Sequence, residues 1–306
     1  MTKQIFADLH NHTTASDGDF SPEEMVLKAK KAGISVVGIT DHDTDNGLDR
    51  AIDAGKRYGI DVVPGVEISV RFKRSFFTGT LHLLCYFAPV LLASKAFRRK
   101  LKSTLAKGRG EKLVRDRVTE INRIFGPKGK NPILLGEITF EQIAEYSSNA
   151  TRRHFSLVLN EKHKIKDRDL INKIIGNNSP AYLPSGIDLD IVSAFIKDFP
   201  VISVLAHPAA GSFPGKGHYK DVLPPVETVE KLFPEFLDAG LDGLEINYPG
   251  HILEHRSLLY TWAKKYNLIV TGGSDCHDAT ERPPGVEGIS EDEFKIFINK
   301  LRNSAK

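Results

Sequence analysis

Residues 7–24 read ADLHNHTTASDGDFSPEE: an apolar run that ends in two histidines one residue apart, an aspartate five residues later, and then the start of a helix. Ser21 as N-cap, Pro22 at the first helical position and Gly33 as terminator predict that helix. The same succession of apolar run, polar loop and helical pattern recurs along the chain. QIFADLH (4–10), ISVVGITDH (34–42), IDVVPGVEIS (60–69) and LHLLCYF (81–87) come early, and VISVLAHP (201–208), LDGLEINYP (241–249) and LIVTGGSDCH (268–277) come late. Such continuous apolar runs suit strands buried on both faces of a parallel sheet. Helical patterns between them, at 46–59, 226–240 and 255–267, predict the α/β class, as a barrel or an open sheet, and seven strands favour the barrel.

Residues 88–200 break this rhythm. RGEKLVRDRVTEINRIFG, TFEQIAEYSS, RRHFSLVLNEK, DRDLINKIIG and IDLDIVSAFIKDF all read as helices. The expected organisation is therefore a barrel made of residues 1–87 and 201–306, with an inserted helical subdomain at 88–200. Part of the insertion is basic, since residues 95–130 hold thirteen Lys/Arg against three Asp/Glu in a chain whose net charge is only +3.

The 306 residues, 41% of them hydrophobic, are enough for a large core. There is no apolar run of membrane-spanning length, and the N-terminus lacks a signal pattern. Two cysteines, Cys85 and Cys276, are too few for a disulfide framework, so the expected location is the cytoplasm.

Nearly every strand end carries a metal-ligand type: His10 and His12, His42, Glu67, His82, His207, and Asp275 with His277. In barrels and open α/β sheets the strand C-termini meet at one functional face, where separate segments converge. Imidazole and carboxylate together suit zinc, manganese or iron rather than calcium or magnesium. With Asp17 there are nine candidates, more than one ion takes, which implies two or three ions with Glu67 as a bridge. Taken singly, a histidine after a strand is commonly a structural group, and Asp17, Asp43 and Asp45 suit turn chemistry. The recurrence of ligand types at strand ends is what points to a metal site.

DLHNHTTASDG, GITDHDT, GVEIS, LHLLCYF, AHP and GGSDCH resemble the successive motifs of the PHP (polymerase and histidinol phosphatase) superfamily. The resemblance implies a distorted seven-stranded (β/α) barrel around a trinuclear metal site. The ligands it implies are His10, His12, Asp17, His42, Glu67, His82, His207, Asp275 and His277. The chain looks most similar to the stand-alone branch of 3′,5′-nucleoside bisphosphate phosphatases and 5′-to-3′ exoribonucleases. TRRHFSLVL (151–159) is the counterpart of that branch's Arg-His-aliphatic motif and implies Arg153 and His154 as phosphate contacts. NYPGHILEH (247–255) resembles its Tyr-Pro-x-His stretch and nominates His251.

The expected chemistry is phosphoester hydrolysis by a metal-bound hydroxide held by Asp17, Glu67 and His207, since clustered divalent ions lower the pKa of bound water towards about 7. Arg109, Arg117 and Lys107 are candidates for a second phosphate, against the plain alternative of a solvated helix face. Glu245 is a further candidate at a strand end. The expected partner is a small phosphorylated substrate, a nucleotide or short RNA, with no membrane and no obligate protein partner. The alternatives are a phosphatase of another metabolite such as histidinol phosphate, and a non-catalytic metal-binding module. His163 and His218 lie in polar stretches and are expected to be exposed.

Overall fold

A computed structural model describes residues 5–147, 149–215 and 222–304. His218 lies outside the described residues. Seven strands form one sheet in chain order: β1 (Ala7–Asp8), β2 (Val36–Ile39), β3 (Asp61–Arg74), β4 (Phe77–Phe87), β5 (Val201–Leu205), β6 (Gly243–Asn247) and β7 (Ile269–Gly272). The ends approach each other through Leu9 N–H to Gly272 O at 3.1 Å and a parallel bridge between Asn11 and Cys276, giving a nearly closed, distorted barrel. Asn11, pointing opposite to its histidine neighbours, also donates to Asp8 O and Gly38 O at 3.2 Å.

The sheet is not wholly parallel. β4 runs antiparallel to both β3 and β5, because only Ser75 and Phe76 separate β3 from β4 and so short a link permits only a hairpin. His82 therefore lies inside β4 rather than at a strand end, opposite Ser69 and diagonal to Glu67 on the same face.

Helices α1 (Pro22–Lys31), α2 (Leu48–Tyr58), α9 (Val226–Ala239), α10 (Leu253–Tyr266) and α11 (Glu291–Ser304) surround the barrel. Ser21 and Glu24 form the capping box of α1, with Pro22 in its first turn. Between β4 and β5 lie α3 (Lys95–Leu105), α4 (Glu111–Phe125), α5 (Phe140–Ala144), α6 (Arg152–His163), α7 (Arg168–Ile175) and α8 (Leu189–Asp198). Phe97, Leu101, Val192 and Phe195 of α3 and α8 belong to the barrel's core. Helices α4 to α7 bury a cluster of their own, from Val114 to Ala181. No helix among the described residues is long and apolar enough to cross a membrane.

His163 is buried, contrary to its expected exposure. Helix α6 continues through it to a left-handed cap at Lys164, which turns the ring inward. Seven of the thirteen basic residues at 95–130, Arg98, Lys100, Lys102, Arg109, Lys112, Arg115 and Arg123, each meet a carboxylate.

Candidate metal centre

Glu67 projects from β3 into the barrel mouth, fully buried, and five histidines surround its carboxylate. Oε2 lies 3.3 Å from His10 Nε2, 3.1 Å from His12 Nε2 and 3.0 Å from His42 Nδ1. Oε1 lies 3.1 Å from both His82 Nδ1 and His207 Nε2. Asp275 Oδ1 is 3.1 Å from His12 Nε2, and Asp17 Oδ1 is 3.4 Å from His277 Nε2. All nine residues expected at the site are thus brought together, from segments up to 267 positions apart in sequence.

Local backbone explains how they fit. His207 and Asp275 adopt left-handed conformations, with φ of 35° and 51°, rare for residues with a side chain and placed here at strand ends facing the cluster. Gly273 must be glycine because a Cβ there would lie 2.5 Å from His10 N and Cβ. Gly18 is similarly pressed against His12 O, at 2.4 Å.

Buried carboxylates behind the cluster hold it in place. Glu245 of β6 accepts from His10 Nδ1–H at 2.9 Å and from His207 N–H at 2.8 Å, so the His10 Nε2 lone pair faces inward. Asp41 accepts from Thr13 N–H, Thr13 Oγ1–H and Ser16 Oγ–H at 2.6–2.7 Å and fixes the loop that carries Asp17. Asp43 accepts from Ser69 N–H at 2.8 Å and pairs with Arg109. Asp8 accepts from Ser274 and Gly285, and burial pushes its carboxyl up to about 6. His277 Nδ1–H donates to Asp275 O at 3.0 Å, which leaves Nε2 to face Asp17. None of these supporting roles except a site role for Glu245 was expected from the sequence.

The donor set fits divalent cations. Three groups, His12/Asp17/His42/His277, His10/His12/Glu67/Asp275 and His42/Glu67/His82, each hold ligand atoms within 4.8 Å of one another. His12 Nδ1, Asp17 Oδ1, His42 Nδ1, Glu67 Oε2 and His207 Nδ1 are buried without a hydrogen-bond partner among the described residues. Buried polar atoms rarely stay unsatisfied, and a cation would satisfy converging lone pairs. Burial opposes the charge on Glu67, but His42, His82 and His10 outweigh it and hold the carboxyl well below its usual range. Asp17 is held low against its own burial by His277 and His42.

The cluster opens into a cavity of about 390 Å³ that also reaches α4, α6 and α7. Arg109, Arg117 and Arg153 line it, as do Arg152, Arg168 and Arg282, which sequence reasoning missed. Arg109 also donates to Ser69 Oγ and Ala150 O, and Arg117 donates to Leu183 O at 2.7 and 2.9 Å. Arg153 pairs with Asp19 at 2.7 Å. His154 closes the α6 N-cap, its Nδ1 accepting from Thr151 N–H. His251 is held by backbone on both sides, accepting from Ala209 N–H at 3.1 Å and donating to Ile246 O at 3.0 Å, and burial takes its pKa down to about 3. Lys107 is exposed.

Comparison with known proteins agrees with this geometry. A 5′-3′ exoribonuclease of Haemophilus influenzae is 29% identical, covering 90% of this chain and 91% of that protein. A phosphoribosyl 1,2-cyclic phosphate 1,2-diphosphodiesterase of Eggerthella lenta is 30% identical over 92% of this chain and 98% of its own length. A 3′,5′-nucleoside bisphosphate phosphatase of Chromobacterium violaceum is 28% identical, with coverages of 88% and 86%. Among solved structures, a protein of Bifidobacterium adolescentis assigned as a metal-dependent phosphoesterase superposes with a TM-score of 0.75 at 26% identity, over 97% of this chain and 96% of that one. The PHP domain family matches residues 8–172, more than half of the 306, and with a site built from all nine expected positions the chain belongs to the PHP domain family.

Proposed function

We propose that this chain is a metal-dependent phosphoesterase that hydrolyses phosphate esters of nucleotides, either 3′,5′-bisphosphonucleosides or the 5′ ends of short oligoribonucleotides. The observation that carries the reading is the Glu67 carboxylate among five histidines, with its Oε2 and four other converging ligand atoms unpartnered among the described residues. The nine residues His10, His12, Asp17, His42, Glu67, His82, His207, Asp275 and His277 would hold two or three ions of manganese, iron or zinc, with Glu67 shared between them. Such ions supply Lewis acidity that makes water nucleophilic at neutral pH and offsets charge on the phosphoryl oxygens.

The chain's own residues do the rest. Glu245 orients His10, Asp41 orients the Asp17 loop, and both keep these side chains from rearranging as charge moves. Helices α4 to α7 close over the site as the distinct part of the insertion at 88–200. Their arginines 117, 152, 153 and 168 face the cavity and suit the substrate's second anionic group, bidentate contact being a guanidinium's particular strength. Phe155, Ile171, Ile175 and Leu223 give the same cavity an apolar side for a base and ribose. In net terms, an O–P bond forms from water, the ester P–O bond breaks, and the proton ends on the leaving hydroxyl.

The names of three relatives support phosphoester chemistry on nucleotides or sugar phosphates. The Eggerthella relative favours a second reading, in which the substrate is another small phosphorylated metabolite. Two free, buried cysteines suit a reducing, cytoplasmic location. The test is release of phosphate and of nucleotides by the manganese-loaded protein from adenosine 3′,5′-bisphosphate, a 5′-phosphorylated RNA pentamer and histidinol phosphate. Preference for either of the first two upholds the nucleotide reading. Preference for the third, or silence on all three with metal bound, overturns it.

A further inference from the structure

Asp275 divides its carboxylate between two environments. Oδ1 faces His10 Nε2 and His12 Nε2 at 3.5 and 3.1 Å, whereas Oδ2 turns the other way. There it accepts from Tyr248 O–H at 2.8 Å and from Arg282 Nη1–H, and Arg282 Nη1 also donates to Tyr248 Oη at 3.1 Å. All three side chains are buried, with Arg282 8%, Asp275 6% and Tyr248 1% exposed. A carboxylate whose outer oxygen is held by two donors cannot rotate without breaking both bonds, so the oxygen offered to the cluster is fixed.

The loop that delivers Arg282 is itself pinned. Asp278 accepts from Thr280 N–H and Oγ1–H at 2.8 Å and from Glu281 N–H at 3.1 Å, an Asx turn immediately before the arginine. Pro283 follows and restricts the arginine's backbone to extended conformations. Gly285, at φ 82°, donates its N–H to Asp8 Oδ2 at 2.8 Å, and Asp8 in turn holds Ser274, the neighbour of Asp275. The Gly285 end of the loop is thus tied through Asp8 to the segments that carry His10 and Asp275, and the other end is held by its own turn at Asp278. A solvated arginine would need none of this support.

We propose that Arg282, with Tyr248, is a positioning residue of the metal centre: it clamps Asp275 Oδ2 so that Oδ1 alone is presented as a ligand. The proposal rests on the metal-dependent reading above. Outer hydrogen bonds of this kind set ligand orientation, and their loss commonly costs about 10- to 100-fold in metal affinity or activity.

The test is manganese titration of the metal-free protein by calorimetry, with kcat and KM measured at fixed manganese, for the wild type, Arg282→Met, Arg282→Lys and Tyr248→Phe. Arg282→Met is expected to weaken at least one manganese site about tenfold or more and to lower kcat, with KM nearly unchanged. Arg282→Lys, which keeps the charge but loses the planar fork, should recover only part of this. Tyr248→Phe should lose less than Arg282→Met and serves as the second probe if the methionine variant does not fold. Wild-type manganese affinity in both Arg282→Lys and Tyr248→Phe would overturn the clamp while leaving the metal-dependent reading intact. A wild-type protein that binds no manganese would overturn that reading, and the clamp with it.

Discussion

Asp17 and Asp41 sit in the same short region of the barrel mouth with different work to do. Asp17 faces His277 and His12 with an unpartnered oxygen, whereas Asp41 has three donors at 2.6–2.7 Å and faces none of the cluster. Asp17→Ala and His207→Ala should therefore abolish turnover while circular dichroism and gel filtration stay native. Wild-type turnover in either would contradict their assignment as ligands. Asp41→Ala should instead be destabilising by about 3 kcal/mol in urea unfolding, because hydrogen bonds to a charged group carry about 1.5–3 kcal/mol each and the orphaned donors stay buried. Arg153→Ala, at the cavity wall, should raise KM far more than it lowers kcat. The positions that converge in the barrel mouth were legible in the sequence because imidazoles and carboxylates recur where strands end, with His82, inside β4, as the exception. Asp41, Asp8 and Arg282 were not legible. A buried carboxylate with backbone donors looks, in sequence, like any polar loop residue.

Strands and helices differ in how far sequence could specify them. The helix beginning at Pro22 is announced by its cap, and the structure places it there. The direction of β4 is not announced, since a run such as LHLLCYF has the same composition either way, and only the two-residue link at Ser75 and Phe76 decides it. Helix α6 shows the same limit at its far end, where one additional residue extends the helix and His163 is buried with neither ring nitrogen partnered among the described residues. Burial lowers this histidine's pKa below the ordinary value of about 6.5. Its neutral form is favoured on folding, so its contribution is fully present above pH 6.5. That contribution is lost as pH falls below 6.5, where the unfolded chain takes up a proton that the folded chain does not. Urea unfolding at pH 7 and pH 5 should show a smaller loss of stability for His163→Leu than for the wild type. Equal losses in the two proteins would contradict the inference.

At the scale of the whole molecule, one reversed strand in a seven-stranded barrel brings Glu67 of β3, His82 of β4 and His207 after β5 to one point, while helices α4, α6 and α7 supply four of the cavity's six arginines. Ions bound by the folded state alone must stabilise it. At a hundredfold excess over Kd the linkage is worth about 2.7 kcal/mol. Tm should accordingly rise with manganese and fall with a chelator, reversibly, and Asp17→Ala should blunt the response. Whether this cluster hydrolyses phosphoesters with bound metal is decided by phosphate release from adenosine 3′,5′-bisphosphate. The wild type and His207→Ala would be assayed side by side, each stripped of metal and then reloaded with manganese. The predicted result is release by the reloaded wild type, none by the stripped protein, and none by His207→Ala in either state. Equal release by stripped and reloaded wild type, or by His207→Ala, would contradict it.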